Sequence, residues 1–277
     1  MRLSEALAVA YFIYLALAAL AVPLPAKSTL STSTTLSRGR RLRVWLAAGL
    51  VVAVEIGVAS VPPTARVEVF RDWLPAFVIL FAYFVTGLFF VAPSARAEAW
   101  LKRWDDRLIG LRRFESVPRV LRVYLDVVYD ACFLIIPAGF AVLVWAGHSE
   151  RADHYWTLVS AAEFLAFGTL PWFQARPPWA IEARRAIDRA AFRRFSLSWV
   201  DKTTIHANTF PSAHASASLA VALAVWPAVP WAGSLLAVLA VSIAAASVVG
   251  RFHYAIDAVT GLALAVALWA ATTVTGP

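Results

Sequence analysis

His214 stands in the stretch Thr209-Phe210-Pro211-Ser212-Ala213-His214-Ala215-Ser216, at the mouth of a long apolar run, where an imidazole is costly unless it has work to do. Proline is favoured in the first turn of a helix, so Phe210-Pro211-Ser212 reads as a helix start. The free amides and positive dipole end of such a start form an anion site; Ser212 adds a hydroxyl, and phosphate fits. One turn in, His214 is placed to pass a proton to an oxygen of that anion, and its small Ala and Ser neighbours leave room for close approach. A capping serine beside a satisfied interfacial histidine is the plainer alternative.

His253 and Asp257 are four residues apart, a spacing that puts them on one face of the helix expected there. A carboxylate behind an imidazole fixes its tautomer, raises its basicity and stabilises the positive charge that a phosphorylated ring acquires. His253 is therefore the candidate nucleophile, with an interfacial polar cluster as the alternative. Arg176, stiffened by Pro177 and Pro178, and Arg251 supply fixed positive charge able to grip phosphate oxygens; Lys202 is a weaker third cation. Topology or contact with lipid headgroups accounts equally well for any one of these cations alone. Asp126 and Asp130 lie inside an apolar run, where they could bind sugar or inositol hydroxyls, pair with an arginine of the site, or simply pair structurally. Glu55 and Glu163 sit in similar runs without an assignable role, and His148, His154 and His206 read as bystanders.

The elements that must position these groups are membrane helices. The chain of 277 residues is 61% hydrophobic, with a mean hydropathy of +0.69, twelve Trp and seventeen Phe, which excludes an ordinary soluble domain. With about 20 apolar residues per crossing, candidate spans fall near 5–23, 43–62, 73–93, 120–147, 155–175, 211–228, 230–249 and 254–274. The expectation is an all-α polytopic membrane bundle of about eight transmembrane helices. The first run also resembles a signal peptide, but the basic segment after it reads as a cytoplasmic loop rather than an exported start. Cys132 is the only cysteine, so no disulfide framework or cysteine metal site forms within one chain, and redox chemistry is unsupported.

A net charge of +8 raises the question of nucleic acid, and the distribution answers it. The loops after runs one, three, five and seven hold 21 of the 25 Lys and Arg, counting Arg43 and Arg122 at the edges of runs two and four, leaving only Arg2, Arg66, Arg71 and Arg151 elsewhere. That is the positive-inside pattern: it places those loops in the cytoplasm and both termini outside, and it removes the need for a nucleic-acid partner. Stretches 96–119 and 180–202 mix Arg with Trp, Leu, Ile and Phe, as interfacial helices on anionic headgroups do. All three chemistry-bearing segments fall on the same membrane face. Abundant Ala, Arg and Trp suit a GC-rich bacterial genome and hence a plasma membrane.

Together the segments resemble the type 2 phosphatidic acid phosphatase superfamily, whose signature is Lys-x6-Arg-Pro, Pro-Ser-x-His and Ser-Arg-x5-His-x3-Asp. Arg176-Pro177 matches the end of the first motif, Pro211-Ser212-Ala213-His214 the second, and His253 with Asp257 the third. The resemblance implies a six-helix core over 71–277, with two additional helices and a basic loop in 1–70. Thr169 and Ser247 stand where the family carries lysine and arginine. In this, and in His253-Tyr254-Ala255-Ile256-Asp257, the chain looks closer to the inositol phosphorylceramide synthase-like branch, which moves a phosphoryl headgroup between lipids. The resemblance further implies a phosphohistidine at His253, Asp257 as its partner, and His214 as the acid protonating the leaving oxygen. It also implies Arg176, Ser212 and Arg251 on the phosphoryl oxygens, with no metal or other cofactor. Arg251 would then replace the missing arginine from another side of His253. The implied substrate is a lipid phosphate or phospholipid taken from the bilayer. Water, a lipid or a polyol hydroxyl remain open as acceptor, and a transporter or scaffold that kept the fold without the chemistry is the third reading. Oligomeric state is not legible.

Overall fold

Each of the eight apolar runs becomes helix, with small polar residues at several of the starts. In the computed structural model, residues 1–22, 36–110, 117–181 and 204–274 are described. The helices are α1 (Leu3–Ala21), α2 (Arg38–Ser60), α3 (Ala65–Gly87), α4 (Ala95–Leu108), α5 (Arg119–Asp130), α6 (Cys132–Trp145), α7 (Ala152–Phe167), the single turn α8 (Pro178–Ile181), α9 (Ala213–Val225), α10 (Pro230–Val249) and α11 (Ala255–Val274). Ser37, Thr64 and Ser94 cap α2, α3 and α4 by accepting the amides of Arg40, Val67 and Ala97, each at 3.3 Å. Among the described residues the only extended pairing is one antiparallel bridge, Ala175 to Asn208, and the fold is all-α.

Among the described residues five helices (α1, α2, α3, α10 and α11) are long and apolar enough to cross a membrane, and the chain is a multi-pass membrane protein. Helices α5 and α6, bent by 65° at Ala131, make a sixth if counted as one span. Helices α7 and α9 have 16 and 13 residues, roughly 24 and 20 Å at the helical rise, short of the ~30 Å hydrocarbon core. Eight elements are thus recovered, but not eight full-length crossings. The difference lies at the ends of runs five and six, whose chain leaves the helix at residue 168 and enters it only at 213; the loops so freed build the site.

The short helix α9 is the hub, packed against α6, α7, α10 and α11. Its Ala and Ser side chains allow close approach, and the hydroxyls of Ser216 and Ser218 are absorbed by helix carbonyls, Ser218 donating to that of His214 at 2.6 Å. Gly261 of α11 presses on the start of α9, where an added Cβ would stand 2.5 Å from the Ser212 carbonyl oxygen. At the opposite end Arg2 binds Glu68 and Asp72, and Arg71 binds Glu5 and Glu68, at 2.6–3.1 Å, stapling α1 to α3. Asp153 of α7 accepts from Ser4 in the same cluster.

At the site end lies α4. Arg96, Lys102, Arg103 and Arg107 are exposed, while Ala97, Leu101 and Asp105 are buried. Its inward face is pinned by aromatic contacts, Trp100 meeting Phe210 and Phe173 at ring distances of 5.3 and 6.1 Å. Just before it, the buried Gln174 ties the chain after α3 to the chain after α7, accepting from Val91 and Ala92 and donating to the Phe89 carbonyl.

Candidate active site

Three loops converge on the start of α9. The Ser212 amide donates to the Asp257 carbonyl at 2.9 Å, the Asn208 amide to that of Ala175 at 2.8 Å, and the Trp179 amide to that of Arg251 at 2.9 Å. These backbone bonds join all three chemistry-bearing segments. Helix α9 begins at Ala213, so Pro211 precedes the cap rather than occupying the first turn. Ser212, wholly buried, is the N-cap and accepts the Ala215 amide at 3.4 Å, which still leaves its hydroxyl proton to donate.

The end of α10 is closed by a Schellman turn: the Phe252 amide bonds the Ser247 carbonyl at 2.8 Å and the Arg251 amide that of Val248 at 3.1 Å. Arg251 takes the left-handed position, φ 62°, usually given to glycine. The turn sends His253, with its amide also on the Ser247 carbonyl at 2.9 Å, into the interior. Ser247 itself is fully buried, its hydroxyl on the Ala244 carbonyl.

His253 lies outside α11, so its meeting with Asp257 does not come from helical spacing. Asp257, third residue of α11, reaches back to accept the Tyr254 amide at 2.9 Å, as in half of a capping box. That fold-back carries its Oδ2 to 3.5 Å from His253 Nδ1, an ion-pair separation not yet in hydrogen-bond geometry. With Nδ1 turned to the carboxylate, Nε2 is left for chemistry. The His214 and His253 rings face one another at 5.6 Å. Tyr129, stacked on Phe252 at 4.1 Å, lies 5.2 Å from the His214 ring. A narrow pocket opens here, lined by both histidines with Tyr129, Pro177, Trp179, His206 and Phe252 among its walls. A second narrow pocket lies on another side of His214 and reaches Glu163, whose Oε2 has no hydrogen-bond partner among the described residues.

The arginines are placed differently from the expectation of free cations beside the histidines. Arg176 is gripped by Glu98 of α4, Nε to Oε1 at 2.8 Å and Nη2 to Oε2 at 3.0 Å. Its guanidinium holds the Glu98 carboxyl below the usual carboxylate range. Arg251 reaches Asp105 of α4 at 2.6 Å. Neither arginine is among the residues lining the pocket. Nor are Asp126 and Asp130, which sit one turn apart on α5, the first buried and the second half-buried, both engaged in polar contacts. Lys202 lies outside the described residues. Among the described residues no three His, Cys, Asp or Glu side chains are grouped so as to hold a metal ion.

Sequence reasoning passed over four residues. Glu98 and Asp105 were legible as acids seven apart on the apolar side of an amphipathic helix. Asn208, wholly buried, lies beside Asp257 with neither amide atom in a well-formed hydrogen bond. It showed only as a polar residue in an apolar setting, the same signal that marks His214. His206, read as a bystander, is a wall of the pocket.

The fold and the site define a helical membrane protein with a two-histidine pocket at one end of its bundle. The chain belongs to the PAP2 superfamily, which it matches over residues 95–271, from the first residue of α4 into α11 and more than half of its length. Membership brings phosphatase-type phosphoester chemistry in general. No curated protein and no solved structure matches.

Proposed function

We propose that the protein cleaves a lipid phosphoester through a phosphohistidine intermediate, with His253 as nucleophile. The observation that supports this most is the disposition of the two imidazoles, their centres 5.6 Å apart and their planes tilted by 59°, with a carboxylate behind only one of them. His253 Nε2 forms the bond to phosphorus as the ester oxygen departs with a proton from His214. Asp257 holds the proton on Nδ1 and offsets the charge of the phosphorylated ring. Water, deprotonated by His214, then releases phosphate. The Ser212 hydroxyl and the positive end of the α9 dipole stabilise the phosphoryl oxygens, assisted by Arg176 and Arg251. A scaffold would have no use for this complete set.

A transferase reading, in which a lipid or polyol hydroxyl replaces water, has its own support. Thr169 and Ser247 replace the charges of the common phosphatases, and among the described residues the pocket wall is formed by Tyr129, Trp179 and Phe252 with no Lys or Arg. The deciding experiment supplies lipid phosphates and phosphoinositides to the protein in mild detergent and follows free phosphate and new lipids together. Phosphate release that vanishes in His253→Ala marks a phosphatase. A new lipid without free phosphate marks a transferase. Equal behaviour of wild type and His253→Ala on every substrate overturns both.

A further inference from the structure

We propose that α4 is a positioning device for phosphate binding, in which Glu98 and Asp105 each fix one arginine of the site. The proposal rests on the phosphoester reading above and deepens it. The two carboxylates are seven residues apart, two turns along one face, on a helix whose other face is basic and exposed. Each holds an arginine from a different loop of the site. Glu98 takes the Nε–Nη2 edge of Arg176 bidentately and also the Arg176 backbone amide at 3.1 Å. A bidentate grip on one edge fixes the plane of a guanidinium and presents the other edge. Arg176 Nη1 donates to none of the described residues, its side chain is 43% exposed, and the next residue, Pro177, is a pocket wall. Asp105 is buried and divided between two tasks: Oδ2 accepts from Arg251 Nη1 at 2.6 Å, and Oδ1 accepts the amide of Ala255, first residue of the helix that carries Asp257, at 2.8 Å.

Simple electrostatics predicts the opposite of this role, which makes the sign of the effect decisive. A carboxylate beside an anion site repels the anion, so removing its charge should tighten phosphate binding. A positioning carboxylate does the reverse, because the freed guanidinium loses its orientation. The experiment titrates wild type, Glu98→Gln, Glu98→Ala, Asp105→Asn, Arg176→Ala and the double variant Glu98→Ala/Arg176→Ala with inorganic phosphate by calorimetry in detergent. It also measures kcat and KM on the best lipid phosphate and the melting temperature of each.

We expect phosphate affinity to fall at least tenfold in Glu98→Ala, less in Glu98→Gln, which keeps the side-chain volume and one acceptor, and KM to rise more than kcat falls. The double variant should bind no worse than Arg176→Ala, since the carboxylate acts through the arginine. Unchanged or tighter phosphate binding in well-folded Glu98→Gln and Glu98→Ala overturns the proposal, as does wild type that binds no phosphate. A lowered melting temperature with unchanged binding also overturns it, showing a purely structural pair. If phosphate binding depends on Glu98 while no phosphoester is cleaved, the functional reading fails and the positioning role stands.

Discussion

His214 is half-buried, faces His253, and keeps its Nδ1 without a partner, so its claim to be the general acid is tested through the leaving group. An alkyl lipid oxygen needs a proton as it departs, whereas a phenolate of low pKa does not. His214→Ala should therefore lower kcat on a lipid phosphate by about 10²–10⁴-fold and spare an activated aryl phosphate by comparison; equal losses on both would sink the assignment. Glu98 makes a prediction in pH. Arg176 depresses the folded-state pKa of Glu98 below its ordinary 4.5, so the stability it contributes is present above that value and is lost as pH falls through the depressed one. Melting curves of wild type and Glu98→Gln should differ at neutral pH and converge as pH falls through the depressed Glu98 pKa; a constant gap would show that the carboxylate charge is irrelevant. The histidines and Asp257 stood out in the sequence because polar side chains at the edge of an apolar run are few, and the structure brings them together. Glu98 and Asp105 were not assigned, because an amphipathic helix with arginines invites a lipid-facing reading, and the sequence does not reveal what lies beneath it. The geometry of His253 and Asp257 was right in partner and wrong in cause: the pairing comes from a helix start folding back, not from two residues on one helix face.

The start of α9 is held at fixed distance from α11 by a missing side chain. A methyl group at Gly261 would meet the Ser212 carbonyl oxygen at 2.5 Å, Ala215 Cβ at 3.2 Å and the Ser216 amide at 3.3 Å. Backbone on both sides cannot yield as a flexible side chain would, so Gly261→Ala must part the helices, at a cost of about 1–3 kcal/mol. The cap that carries Ser212 and His214 moves with α9, so activity should fall together with thermal stability. A variant that melts like wild type and keeps full activity would show that the two helices do not need this contact. At this scale composition located every described helix that came from an apolar run, because a membrane helix is an unbroken apolar run before it is anything else. It overstated α7 and α9, since counting apolar residues cannot tell a helix end from the loop that continues it. Nor did it reveal the 65° break between α5 and α6, which falls at Ala131, directly after Asp130, and leaves Tyr129 stacked against Phe252.

The molecule is polar in the literal sense, with its two-histidine pocket and most of the positive charge of its described residues at one end. Of the four cations at the other end, Arg2 and Arg71 are consumed by Glu5, Glu68 and Asp72, with side chains only 19% and 12% exposed. Breaking that cluster with Arg71→Ala strands the buried Glu5 and should cost about 3 kcal/mol, read as a drop in melting temperature of roughly 5–10 °C. Catalysis by the surviving folded protein should be unaffected, because the cluster lies across the bundle from the two histidines. The same pairing strengthens the topological argument: once two of the exceptions are neutralised, most of the uncompensated positive charge among the described residues lies on the side of the site. By the positive-inside rule the expectation is an active site facing the cytoplasm and a chain end after α11 outside. A reporter that is active only beyond the membrane, fused after Pro277, should therefore be active, and one that is active only in the cytoplasm should be silent. The reverse pattern would turn the molecule over and make outer-leaflet lipids its substrates. In that case the basic face of α4 could not be resting on the anionic cytoplasmic leaflet, and its charge would need another partner.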